Sequence, residues 1–158
     1  MNTHNSGYIL DVVLHDDALE PLAAAAKKQI VTDEMGALVT FDGIVRNHDN
    51  GHSVESLTYT AHPDAQKFMA EVVQFVADDF PDVHLWVAHR TGKLAIGELA
   101  FCVLAASAHR ENAFRACSRI ADRVKAKVPI WKEQVLVDGR STWVGLDENI
   151  NSNNADSQ

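Results

Sequence analysis

Hydrophobic and polar positions repeat along this chain with two periods, and the switches between them mark its elements. Residues 8–14 (YILDVVL) are rich in β-forming side chains and predict a first strand. Asp16 and Asp17 stand where they can cap a helix predicted over residues 18–29, whose Pro21 is tolerated in a first turn. Residues 36–45 (GALVTFDGIV) predict a second strand, with Gly43 marking a bulge or a close backbone approach. The polar stretch 46–53 (RNHDNGHS) contains Asn50-Gly51, a hairpin signal, so residues 54–59 are expected to return as a strand beside the second one.

Further along, Pro63 suits the first turn of a helix in which Phe68, Val72, Phe75 and Val76 recur at helical spacing, ending before Pro81. Residues 83–89 set His84, Trp86 and Ala88 against Val83, Leu85 and Val87, a strand pattern, and Thr91-Gly92-Lys93 reads as a turn. The unbroken apolar run 99–106 predicts a central strand. A helix follows over residues 110–126, with Ala113, Phe114, Cys117, Ile120, Ala121 and Val124 on one side. Pro129 stops it, because the residue before a proline is pushed out of the helical region. Residues 130–137 and 141–144 predict a closing strand pair around Asp138-Gly139. The order β-α-β-β-α-β-β-α-β-β, with hairpins among three main helices, predicts one α+β domain over residues 1–146 rather than a doubly wound sheet. Residues 147–158 are polar, lack periodicity and are expected to be disordered.

Composition then narrows the function. The chain has 158 residues, 46% of them hydrophobic and 23% charged. A chain of that length buries roughly 70% of its unfolded surface and needs neither disulfides nor a structural metal. Cys102 and Cys117 lie in apolar company and form no CxxC pair, so buried, reduced thiols are expected. No apolar run approaches the ~18 residues of a membrane span, and no basic region precedes the first hydrophobic residues. A soluble, unsecreted protein without membrane contact is expected. A net charge of −8 argues against a nucleic-acid binder. Yet residues 107–140 hold eight Lys or Arg against four Asp or Glu, a net of +4. GxGxxG, Walker A, GxSxG and HExxH patterns are absent and the eight histidines are scattered. A nucleotide cofactor or a catalytic metal is therefore not indicated.

Three clusters carry possible chemistry. In VKAKVPIWKEQ (124–134), Lys125 falls in the last turn of a helix, where a cation suits the dipole. Lys132 and Gln134 share one face of the next strand, while Trp131 and Val135 share the other. Two ammonium groups at one proline-fixed corner, partly shielded by Trp131, can serve as a general acid or base, or as a nucleophile. Ser107-Ala108-His109-Arg110 joins a buried strand to a helix N-terminus, where free N–H groups and a guanidinium suit phosphate; a plain cap with a solvated arginine explains it equally well. Ile44-Val45-Arg46 ends a strand beside a polar loop and can reach an anion. The dipeptide His89-Arg90 also ends a strand, but the turn after it looks structural.

Taken in order, these segments resemble the large subunit of molybdopterin synthase. The resemblance is carried by GALVTFDGIVRNHDNGHSVESLTY (36–59), HRTGKLAIGE (89–98), SAHRENAFRAC (107–117) and KAKVPIWKEQ (125–134), and it spans roughly residues 8–145. It implies an α/β-hammerhead type of α+β fold and a cytoplasmic sulfurtransferase of molybdenum cofactor biosynthesis. It also implies a homodimer with a small ubiquitin-like sulfur-carrier subunit docked at each far end, a heterotetramer. That carrier inserts a C-terminal Gly-Gly thiocarboxylate, and two such deliveries convert cyclic pyranopterin monophosphate into the dithiolene of molybdopterin. By position, Lys125 and Lys132 match the catalytic lysine pair. Ile44, Val45 and Arg46, then His109 and Arg110, and the stretch Lys132, Glu133 and Gln134 match substrate-binding positions, as does Lys125. Two departures stand out: Glu133-Gln134 replaces a basic residue followed by Glu, and Tyr59-Thr60-Ala61-His62 replaces a commoner Tyr-Glu-Ala-Tyr. A non-enzymatic dimeric module binding a phosphorylated metabolite also explains the basic island, but gives no reason for two lysines flanking Pro129-Ile130-Trp131.

Overall fold

The computed structural model describes residues 5–144. In chain order the elements are β1 (Tyr8–His15), α1 (Glu20–Ile30), β2 (Ala37–Ile44), β3 (His48–Asp49), β4 (His52–Ala61), α2 (Ala65–Ala77), β5 (His84–Arg90), β6 (Gly92–Ala95), β7 (Leu99–Ser107), α3 (Arg110–Lys127), β8 (Ile130–Leu136) and β9 (Ser141–Val144). Strand β7 is buried along its whole length, as its unbroken apolar run predicts. It lies between β5 and β2, antiparallel to both, and β1 joins β5 in parallel, giving the order β1-β5-β7-β2.

This sheet is covered on both faces. Leu85, Val87, Val103 and Ala105 pack against Met69 and Val73 of α2 and Ala116 and Ile120 of α3. On the opposite face Trp86, Ala88, Cys102 and Leu104 pack against Leu19, Ala23, Ala26 and Ile30. The alternation along β5 thus separates two apolar cores rather than a core from solvent. Leu19, fully buried, is the N-cap of α1 and makes no side-chain cap bond. Asp17, expected as a cap, instead accepts from the Ala18 N–H at 2.7 Å. Burial of Leu19, together with Pro21 in the first turn, sets where this helix begins.

The second sheet runs β3-β4-β8-β9, with β6 pairing β4 along the edge away from β8. Here the structure corrects two expectations. The strand at residues 54–59 does not return beside β2, whose described partner is β7; it belongs to β4, in the other sheet. The β2–β7 register shifts between Gly43 and Ile44, and Ile44, opposite Leu99, is the last paired residue of β2. A Cβ on Gly43 would lie 3.2 Å from the Phe101 Cβ, so the close approach expected there is real. Beyond the shift, Val45 donates to the Glu98 carbonyl at 3.0 Å and accepts from the Gly97 N–H at 2.8 Å. The Asn50-Gly51 turn does form, with φ of 47° and 79°, but it joins β3 to β4. Likewise residues 92–93, read as part of a turn, begin strand β6, which pairs with Ser56 to Tyr59 of β4.

The result is the α+β arrangement of the α/β-hammerhead type, with three helices and β1–β5 as the parallel pair among the described residues. No described helix is long and apolar enough to cross a membrane. The polar tail, residues 147–158, lies outside the described residues.

Candidate active site

A cleft of about 490 Å³ lies where the second sheet meets the first and the last turn of α3. Strand register decides what faces it. On β4 and β8, Leu57 stands opposite Gln134 and Tyr59 opposite Lys132; on β9, Val144 stands opposite Lys132. All five line the cleft. Side chains alternate along a strand, so a one-residue slip of β8 would turn Lys132 and Gln134 to the other face. The first sheet contributes Phe41, Gly43, His89 and Phe101, and α3 contributes Val124 and Lys125. The stretch after Gly43 adds Ile44, Val45 and Arg46.

Of the residues singled out from the sequence, Ile44, Val45, Arg46, Lys125, Lys132 and Gln134 therefore share one cleft. Glu133 lies one residue out of phase with Lys132, opposite Thr58 and Trp143, and does not line it. Trp131 is out of phase as well and packs near His62, with ring centroids 6.4 Å apart, so the expected shielding of the lysines by Trp131 is not found. Tyr59, Val128 and Ile130 supply the apolar walls instead. His109 and Arg110 are exposed at the start of α3. Arg110 precedes Lys125 by fifteen residues of that helix, which separates them by about 22 Å along its axis. Ser107 is buried, and its hydroxyl donates to the His109 carbonyl.

The charged residues lining the cleft are Arg46, Lys125 and Lys132 against the single carboxylate of Asp42, inside a chain of net charge −8. Lys132 is half-buried and Lys125 exposed. Such an arrangement attracts anions and strengthens any contact from which water is expelled. The two cysteines take no part. Burial pushes the Cys102 thiol up to about 12 and the Cys117 thiol up to about 11, so both remain protonated and unreactive.

Sequence reasoning passed over His89. Its ring stacks on Phe101 with centroids 5.4 Å apart and meets the edge of Tyr59 at 4.8 Å. Nδ1 lies 2.8 Å from the Arg90 carbonyl, an acceptor only, which assigns the proton to Nδ1 and leaves Nε2 a bare acceptor. Burial lowers its pKa to about 4, against the upward pull of that backbone bond, and burial raises that of Tyr59. Both groups are thus neutral at pH 7 and leave the positive charge of the cleft to the lysines and Arg46. Its place between two apolar-facing strands was the available signal, but contact with Tyr59 is a cross-sheet matter that the sequence does not show.

Residues 16–127 match the family model described as MoaE protein. A molybdopterin synthase catalytic subunit from Thermoplasma volcanium is 36% identical over 111 residues, which are 70% of this chain and 81% of that one. The chain belongs to the molybdopterin synthase catalytic subunit family. The crystal structure of molybdopterin synthase from Staphylococcus aureus superposes with a TM-score of 0.73 at 29% identity, covering 92% of this chain and 99% of that one. A Helicobacter pylori structure, a complex of subunits 1 and 2 of molybdopterin-converting factor, shares the fold with a TM-score of 0.68 at 23% identity, over 87% and 90% of the two chains. As a molybdopterin synthase catalytic subunit, the chain is a sulfur-transferring enzyme of molybdenum cofactor biosynthesis, which disfavours the non-enzymatic binding module.

Burial of neutral His89 has a consequence for this catalytic subunit. Its folded pKa of about 4 lies below the ordinary 6.5, so between these values the unfolded chain holds the extra proton. Stability is therefore full above pH 6.5 and falls as pH drops toward 4, by up to about 3 kcal/mol. Urea midpoints of wild type and His89→Phe between pH 7 and 4.5 test this. The wild type should lose stability more steeply; parallel curves would remove His89 as the cause.

Proposed function

We propose that this catalytic subunit moves sulfur from the thiocarboxylated C-terminal Gly-Gly of a small ubiquitin-like carrier subunit to cyclic pyranopterin monophosphate, forming the molybdopterin dithiolene. The observation that carries the proposal is the convergence of Arg46, Lys125 and Lys132 on one cleft. Both reactants are anions, one a phosphate and the other a thiocarboxylate. Bringing them together costs Coulomb energy that a preformed set of cations offsets. Arg46, next to Ile44 and Val45, grips the phosphate or pterin, while Gln134, its amide bonded to Asp49 and Thr142, supports that wall of the cleft. Lys132, half-buried on its strand, polarises or protonates the reacting substrate oxygen. Lys125, at the exposed end of α3, positions the incoming thiocarboxylate and the acyl group left once sulfur departs. We place the reaction in the cytoplasm, where buried, unpaired Cys102 and Cys117 stay reduced.

Lys125→Ala and Lys132→Ala, mixed with thiocarboxylated carrier and the cyclic pterin phosphate, should each lower dithiolene formation by about 100-fold or more. Their circular dichroism should match the wild type. Wild-type turnover in both variants would refute the assignment.

His109 and Arg110 also belong to the proposed substrate set, with Glu133 at its margin. About 22 Å from Lys125 along one helix, they are out of reach of the same small ligand within one chain. The proposed homodimer resolves this if each cleft takes His109 and Arg110 from the other copy. Exchanging subunits between Lys125→Ala and Arg110→Ala dimers tests the sharing. A mixed dimer holds one intact set, so activity absent from either parent should reappear, and its failure to do so would exclude sharing.

A further inference from the structure

Asp49 is neither one of the cleft's cations nor part of its wall, yet its carboxylate connects two residues that are. It ends the two-residue strand β3, where the Asn50-Gly51 turn folds the chain back. Asp49 Oδ1 lies 3.5 Å from Nη2 of Arg46. Its Oδ2 accepts from Nε2 of Gln134 at 2.8 Å. Gln134 is only 5% exposed, and its other amide atom, Oε1, accepts from the Thr142 hydroxyl at 3.3 Å. A chain of polar contacts thus runs from β9 through β8 to the β3 turn and ends on a guanidinium facing the cleft. Each donor in it faces an acceptor: hydroxyl to amide oxygen, amide nitrogen to carboxylate, guanidinium to carboxylate.

The two contacts of Asp49 differ in weight. The Arg46 side chain is 69% exposed, so its ion pair is screened by water and contributes little on its own. The bond to Gln134 is shorter, charge-assisted and largely shielded, with the Asp49 side chain 16% exposed. Gln134 therefore anchors Asp49, and Asp49 in turn directs the guanidinium. Nothing else among the described ion pairs and side-chain hydrogen bonds holds Arg46.

We propose that Asp49 is a positioning residue for sulfur transfer: anchored by the buried amide of Gln134, it aims Arg46 into the cleft. This rests on the reading of Arg46 as the grip on the anionic pterin. It also explains why an amide suits position 134, because a carboxylate there would face Asp49 across 2.8 Å and force one of the two to take a proton.

Steady-state kinetics of Asp49→Asn, Gln134→Glu, the double variant D49N/Q134E and Arg46→Ala, with thiocarboxylated carrier and cyclic pterin phosphate, test the idea. Asp49→Asn should raise KM for the pterin about tenfold, the size of one charged hydrogen bond, with kcat nearly unchanged. Gln134→Glu should raise KM at least as much and recover as pH falls and one carboxylate protonates. In the double variant the amide and carboxylate exchange strands, the bond is remade with its direction reversed, and KM should return to within a few-fold of wild type. A double variant as impaired as its singles combined, or an unchanged KM in both singles, would overturn the proposal. Should Arg46→Ala raise KM while Asp49→Asn does not, the substrate grip stands and the positioning role falls. Should Arg46→Ala itself leave KM unchanged, the failure lies in the reading of Arg46, and the proposal goes with it.

Discussion

The register of β8 against β4 is the constraint on which the site depends. Tyr59 opposite Lys132 and Leu57 opposite Gln134 set four side chains on the cleft face of the second sheet. Hydrogen bonding along the ladder is indifferent to which face a residue takes, and burial is not. Gln134 and Leu136 are buried and Ile130 lines the cleft, so this face is specified by packing at several points. Lys132 has no freedom to choose the other side. On the opposite wall, the irregularity at Gly43 does comparable work: it shifts the register of β2 on β7 just before Ile44, Val45 and Arg46, which line the cleft.

These two features explain how an acidic chain keeps a positive site. Three cations repel one another, and a flexible chain would spread them into solvent. Here each stands on a different, independently packed element: Lys132 on β8, Lys125 on the last turn of α3, Arg46 on the segment after β2. Fixed cations facing a partly apolar wall cost little reorganisation when anionic reactants enter, which is the basis of electrostatic catalysis. The neutral state of His89 and Tyr59 fits the same logic, since His89 is buried and Tyr59 half-buried beside the charges without adding to them. Protonated, buried cysteines leave the chain without a thiolate nucleophile of its own, which fits the proposed delivery of sulfur by a carrier subunit.

Much of this was legible in the sequence because it is local. The apolar run that became β7, the two-residue period placing Lys132 beside Gln134, the crowding at Gly43 and the Asn50-Gly51 turn all follow from near neighbours. Most of the misreadings are long-range. A hairpin signal says that a chain turns, not which strands it joins, so β4 was assigned to the wrong sheet. Strand β6 is four residues long and opens on Gly92 at φ 92°, so only its pairing with β4 distinguishes it from a turn. Trp131 is adjacent to Lys132 in sequence and therefore on the opposite face of the strand. Asp49 and Gln134 are 85 residues apart, and His89 meets Tyr59 across two sheets; no spacing rule reaches either contact.

The side-chain ammonium signals of the lysines, followed by NMR while cyclic pterin phosphate is added, test the shared cleft most directly. Lys125 and Lys132 should shift together along one saturation curve, while Lys27, Lys28, Lys67 and Lys93, which do not line the cleft, stay in place. Saturable binding that moves only one of the pair, or neither, would contradict a single site built from both.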